Sequence, residues 1–261
     1  MGLGRVIFVS AGPGAADLIT VRGARALATA DIVLADALAD PALRDLAPQA
    51  EWIPVGKRGY EHSAKQTEIN ALLLKAAREH AVVVRLKGGD ASIFGRLEEE
   101  LAALAEAGIA SEVIPGVTAA LAAAAQAQRP LTRRGRGRNV SLTTAMTETG
   151  ELRAALSADT EVFYMAGRQL ATLGAKLVAA GWPADTPALV VSRAGCADAL
   201  TSEHRIGGLA DAAPLHGNHP TVVTVGTGAA PVQTAQPPAS KIVVSPEIPP
   251  LKAPLTSQSR P

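Results

Sequence analysis

The stretch Val82-Val83-Val84-Arg85-Leu86-Lys87-Gly88-Gly89-Asp90 decides the fold, because an apolar β-branched run ends abruptly in two glycines and a carboxylate. A buried parallel strand delivering a ligand loop has this form. The glycines let backbone approach a bound molecule with no Cβ in the way, and Asp90 adds a charged acceptor where the strand's carboxyl end opens into a crevice. An ordinary strand-to-helix turn fits the same three residues. A second loop of this kind follows Arg5-Val6-Ile7-Phe8-Val9-Ser10, where Ala11-Gly12-Pro13-Gly14 precedes a helical pattern over residues 17–29. Two glycine loops after two strands suggest one crevice. A dinucleotide fingerprint needs a third glycine at position 17, where Asp17 stands, although Asp36 at the end of Asp31-Ile32-Val33-Leu34-Ala35 could serve as its ribose acid. An NAD-binding Rossmann protein therefore stays open as an alternative.

Working outward, short β runs at 5–10, 31–35, 51–55, 81–86 and 111–114 alternate with helix-like stretches at 17–29, 41–47, 66–79 and 96–107. Repeated βα order predicts a parallel sheet. An alanine-rich helix over 117–127 closes this series, so a first α/β domain is expected over 1–130. Strands near 139–144, 161–165, 187–192, 203–207 and 221–225 make a second α/β domain over 131–230. Eight of the chain's 18 prolines fall in residues 231–261, mixed with Ser, Thr and Gln, and this tail reads as disordered, with Ile242-Val243-Val244 as its one apolar triplet.

A chain of 261 residues that is 48% hydrophobic suffices for two packed α/β units, but with aromatics at 3% the cores must rest on Ala, Val, Leu and Ile. The single Cys196 excludes an intrachain disulfide, and the five scattered histidines form no metal-ligand spacing, so no metal is expected and a cytoplasmic setting fits best. The N-terminus does not read as a secretion signal, and no run approaches the length of a membrane span. No membrane partner is expected.

A net charge of +1 gives the molecule almost no overall field for gathering anions, so anion recognition must come from local clusters. Arg129, Arg133, Arg134, Arg136 and Arg138 make one, on a loop broken by Pro130, Gly135 and Gly137. No aromatic side chains interleave with them to stack bases, which argues against nucleic acid. A solvated linker is the plainer alternative.

The segments SAGPG at 10–14, LADAL at 34–38, VGKR at 55–58, HSAKQTEIN at 62–70, VVRLKGGDASIFGR at 83–96, VIPGVTAA at 113–120, RPLTRR at 129–134 and FYMAGRQL at 163–170 together resemble the tetrapyrrole methylases. The likeness runs over about residues 5–228, in the family's order and spacing. It implies two α/β domains with a cofactor cleft between them. It also implies S-adenosylmethionine as methyl donor and C-methylation of uroporphyrinogen III to precorrin-2, by way of precorrin-1, on the routes to sirohaem and cobalamin. A later corrin precursor as acceptor, or a non-enzymatic donor-binding sensor, are the alternatives. A homodimer is expected from the family alone.

Carried over position by position, the resemblance implies donor contacts at Pro13, Gly88, Gly89, Asp90, Ile93, Thr118, Ala119, Met165 and Ala194. Thr118 enters a helix N-terminus, where exposed N–H groups suit a carboxylate, although it equally reads as a helix cap; Met165 equally reads as core packing. Ala194 stands where relatives usually carry glycine, with Gly195 one residue later. Further departures are Ala91-Ser92 after the GGD, Arg133 in place of a histidine, and Lys65 in place of a proline. The polycarboxylate acceptor calls for clustered cations, and Lys57, Arg58, Arg133 and Arg134 are the candidates, with Arg96 and Arg168 behind them. By the same resemblance Asp36 is the proton acceptor and Lys57 the proton donor; Asp36 equally suits a pyrrole N–H.

Overall fold

A computed structural model of the protein describes residues 2–56, 66–146 and 152–232. Lys57, Arg58, Lys65 and almost all of the expected tail lie outside these residues. The chain divides into two compact units at Val117/Thr118.

In the first unit the strands β1 (Arg5–Ser10), β2 (Ile32–Ala35), β3 (Glu51–Pro54), β4 (Val82–Lys87) and β5 (Ser111–Ile114) form one sheet in the order β3-β2-β4-β1-β5. Every pairing is parallel, as the βα alternation predicts. Alternation along each strand sends side chains to opposite faces, and both faces are covered. Ile7, Val9, Val33, Val84 and Leu86 pack with Leu27 of helix α1 (Val21–Leu27) and with Leu43. Val6, Phe8, Leu34 and Val83 pack with Leu73 of α2 (Gln66–Glu79) and Leu104 of α3 (Leu97–Glu106). Burying each such side chain contributes about 1.5–3 kcal/mol.

Two expected helices are shorter or tighter than predicted. Residues 17–29 split into a 3-10 turn at Ala16–Leu18 and α1, because Ile19 and Thr20 are extended and the Thr20 side chain caps the new helix by accepting the Gly23 N–H at 3.0 Å. Residues 41–46 form a 3-10 helix, capped by Asp40, which accepts from Ala42 at 2.9 Å.

The second unit begins with α4 (Ala119–Gln126), which packs on β7 (Thr160–Tyr164) and β10 (Thr221–Gly226), so this helix and the arginine loop group with the second series of strands. With β6 (Val140–Thr144), β8 (Pro187–Ser192) and β9 (Leu200–Arg205) they make a sheet in the order β6-β7-β10-β8-β9. Only β6 and β7 run parallel; the other pairs are antiparallel. Phe163, Val190, Val223 and Val225 bury one face of this sheet against Leu170, Leu173 and Leu177 of α5 (Leu170–Ala179) and against Ile206 and Leu209. A short α6 (Ala213–His216) follows.

Candidate active site

In the first unit the site residues gather where the parallel strands end. The loops after β1 and β4 pair with each other: Gly89 donates to the Gly12 carbonyl at 2.7 Å, and Gly12 donates to the Gly89 carbonyl at 3.2 Å. Both glycines take left-handed backbone, at φ +82° for Gly12 and +68° for Gly89, which explains their type. A Cβ on Gly12 would strike Leu18, and one on Gly88 would lie 2.8 Å from the Leu38 Cβ, whereas a Cβ on Gly89 would enter open space. Gly89 is thus bare backbone with open space beside it. Pro13 follows this bridge directly, and Ile93 donates its N–H to the Asp90 carbonyl at 3.1 Å within the same loop.

Asp90 joins a third loop to the other two. One carboxylate oxygen accepts the Gly116 N–H at 2.8 Å; the other accepts the N–H of Ser92 at 2.9 Å and its hydroxyl. Partial burial works to raise the Asp90 pKa, but the hydrogen bonds from Gly116 and Ser92 outweigh it and hold the carboxyl below its ordinary value. Ser10, at the end of β1, accepts the Ala91 N–H at 3.0 Å and completes the seam.

Asp36 leaves β2 two residues beyond Leu34 and so emerges on the same face, and Leu34 is in register with Arg85 of β4. Its Oδ1 lies 2.6 Å from Arg85 Nη2. Arg85 and Lys87 alternate with Val84 and Leu86, so both cations point towards α2 and α3, where Glu100 takes Arg85 at 3.2 Å and Lys87 at 2.9 Å. Burial and the neighbouring Arg85 lower the Lys87 pKa, with Glu100 and Asp36 pulling it back. The sequence reading missed Arg85, Lys87, Glu100 and Ser10. A signal for the first two was present: two charges at alternate positions in an apolar strand covered on both faces require a buried acid opposite.

In the second unit Thr118 precedes α4 but does not cap it with its side chain; its hydroxyl instead hydrogen-bonds the Tyr164 hydroxyl at 2.8 Å. Tyr164 is a further residue that sequence reasoning did not single out, although it adjoins Met165. Ala119 is the first residue of α4. Met165 is not core: it is 37% exposed and held at φ +56°, a conformation that costs an unbranched side chain of order 1 kcal/mol and that clusters at functional positions. Ala194 follows β8 at the same end of the sheet, since the backbones of Ala166 and Arg193 both hydrogen-bond to the start of β10, at Thr221 and Pro220. Left-handed backbone falls on Arg193 and Gly195 and not on Ala194, so an alanine methyl is compatible with the backbone there.

The expected cation set divides. Arg133 donates to the carbonyl oxygens of Ala230 and Pro231, the latter at 3.0 Å, and so ties the arginine loop to the segment after β10. Arg134 is exposed on the turn closed by the Arg133–Gly137 bridge. Arg129 pairs with Glu203, and Arg96 with Glu99 in an exposed contact at 2.7 Å. Arg168 is exposed. Among the described residues no His, Cys, Asp and Glu cluster suits a metal ion, and no helix is long and apolar enough to cross a membrane.

The parallel sheet with its paired glycine loops, followed by the mixed sheet with a left-handed methionine after β7, makes a two-unit α/β protein, and residues 5–210 match the family described as Tetrapyrrole (Corrin/Porphyrin) Methylases. The chain belongs to that family. It is 44% identical over 202 residues to the uroporphyrinogen-III C-methyltransferase of Synechocystis sp., covering 74% of this chain and 77% of the relative. It is 40% identical over 228 residues to the enzyme of the same name from Pseudomonas aeruginosa, covering 85% and 93%. Among solved structures, the uroporphyrin-III C-methyl transferase of Thermus thermophilus complexed with S-adenyl homocysteine superposes with a TM-score of 0.76 at 35% identity, covering 85% of this chain and 97% of that one.

Proposed function

We propose that this protein transfers methyl groups from S-adenosylmethionine to carbons of uroporphyrinogen III, giving precorrin-2 by way of precorrin-1. The observation that carries the reading is the Gly12–Gly89 bridge, with Gly89 facing open space and Asp90 locking the loop to Gly116. Such a cradle fits a ligand that must meet backbone closely. The donor supplies an electrophilic methyl group on sulfur. Pro13, Gly88, Gly89, Asp90 and Ile93 of the first unit, and Thr118, Ala119, Met165 and Ala194 of the second, are the residues proposed to hold it. Carbonyls of the glycine loops are suited to a sulfonium, and the α4 N-terminus beside Thr118 to a carboxylate.

For the acceptor, Asp36 offers a carboxylate at a strand's carboxyl end, to take a proton or a pyrrole N–H, and Lys57 is proposed as its partner in proton transfer. Arg58 and Arg134 are proposed to pair with substrate carboxylates. With no covalent intermediate on the protein, alignment and exclusion of water account for most of the acceleration. A homodimer in the cytoplasm, expected from the family alone, completes the reading. The test is transfer of label from the donor to enzymically generated uroporphyrinogen III, with mass analysis of the product. Two added methyls support the reading, and no transfer to this acceptor overturns it.

A further inference from the structure

Four charged side chains meet beneath the carboxyl ends of β2 and β4. Arg85 is 2% exposed and Glu100 fully buried, Lys87 is buried beside them, and Asp36 stands at the rim with its side chain 30% exposed. All three guanidinium nitrogens of Arg85 are held. Nε donates to Glu100 Oε1 at 3.2 Å, Nη1 donates to the carbonyls of Leu34 at 3.3 Å and Leu86 at 3.1 Å, and Nη2 lies between Glu100 Oε1 at 3.2 Å and Asp36 Oδ1 at 2.6 Å. Glu100 is fixed in turn by Lys87 through Oε2 and by the Gln66 amide at 3.1 Å. Two cations balance two anions. Burying such a set brings a desolvation penalty that an apolar cluster of equal volume would avoid, so stability alone is a poor account of it. The arrangement is directional: three members are interior, and the fourth presents a carboxylate at the strand ends.

We propose that Arg85, braced by Glu100 and Lys87, is a positioning residue that fixes the Asp36 carboxylate in the geometry the methyl-transfer reaction requires. The proposal rests on the reading of Asp36 as a residue that acts on the acceptor. Arg85 cannot swing away without breaking bonds to Glu100 and two backbone carbonyls, so Asp36 Oδ1 has one anchoring point. Gly95 closes the same region, since a Cβ there would fall 2.4 Å from the Ala91 carbonyl and 3.2 Å from Lys87 Cε.

Steady-state methyl transfer to uroporphyrinogen III by the full chain tests this in a double-mutant cycle of Arg85→Met and Asp36→Asn. Arg85→Met is expected to lower kcat at least about tenfold with the KM for the donor unchanged, and Arg85→Lys to recover part of the loss. The double variant is expected to be no slower than Asp36→Asn alone, because Arg85 acts only through that carboxylate. Multiplying losses, or a fully active Arg85→Met, would overturn the brace while leaving Asp36 in its role. A fully active Asp36→Asn would remove the reading of Asp36 itself. Should Arg85→Met fail to fold, as judged by its melting transition, Arg85→Gln combined with Glu100→Gln keeps the cluster neutral and hydrogen-bonded. That variant is expected to melt cooperatively and lose turnover; wild-type turnover in it overturns the proposal.

Discussion

Asp90 accepts the backbone N–H of Gly116 at 2.8 Å, and this one bond ties the loop after β4 to the loop after β5. Its other oxygen holds Ser92, so the acid shapes the glycine loop before any ligand arrives. Asp90→Ala leaves the Gly116 N–H without its partner, and a loss of about 1–3 kcal/mol is expected in denaturant unfolding. The carboxyl sits below its ordinary pKa in the folded protein, so its contribution is complete above the unfolded value and disappears as pH falls through the folded one. Wild type is therefore expected to lose stability relative to Asp90→Ala only below about pH 4.

Gly89→Val is expected to abolish binding of S-adenosylhomocysteine by calorimetry. The left-handed backbone brings a separate strain, and Gly108 supplies the control: it has the same φ of +68° and open space for a Cβ. Gly108→Val is expected to lower stability comparably, by about 1–2 kcal/mol, and to bind the ligand normally. Equal loss of binding in both variants would assign the effect to strain.

Arg133 and Arg134 are adjacent but are expected to fail differently. Arg133→Ala removes the bonds to Ala230 and Pro231 and is expected to lower the melting temperature with little change in the KM for the macrocycle. Arg134→Ala is expected to raise that KM by at least about tenfold, roughly 1.4 kcal/mol, without changing stability or donor affinity. An unchanged KM in Arg134→Ala would leave the arginine turn as a solvated linker.

His216, in the second unit, gives a separate pH signature. It is fully buried, its Nδ1 and Nε2 share hydrogen bonds with Ser192 at 2.6 Å and Ser202 at 2.8 Å, and burial, then His204 and His219, push its pKa down to about 4. The unfolded chain binds a proton near pH 6.5 and the folded one does not, so stability falls as pH drops from about 6.5 towards 4. The loss is at most about 3 kcal/mol. In His216→Gln, which cannot titrate, the stability curve is expected to be flatter across that window.

Much of the first unit was legible in the sequence because parallel strands covered on both faces are short, apolar and β-branched, and the helices between them keep a different period. The strands at 5–10 and 111–114 and helix α2 have the expected bounds. The helix predicted over 17–29 was interrupted by a capping preference at Thr20 that a threonine inside an apolar pattern does not announce. Gly12, Gly88, Gly89 and Asp90 were readable as a loop chemistry, since a glycine pair after a buried strand has few other uses.

By itself the sequence determined the order of strands and helices, the glycine loops and the residues of the family's motifs, all of which are local patterns. Tertiary structure alone decided the strand order β3-β2-β4-β1-β5, the antiparallel pairs of the second sheet, and the partners of charged residues. Asp36, Arg85 and Glu100 lie far apart along the chain and meet because strand register and side-chain alternation send them to one face. Local propensity reports whether a residue extends or coils; which charge opposes it across a sheet depends on long-range pairing, which no window of sequence contains.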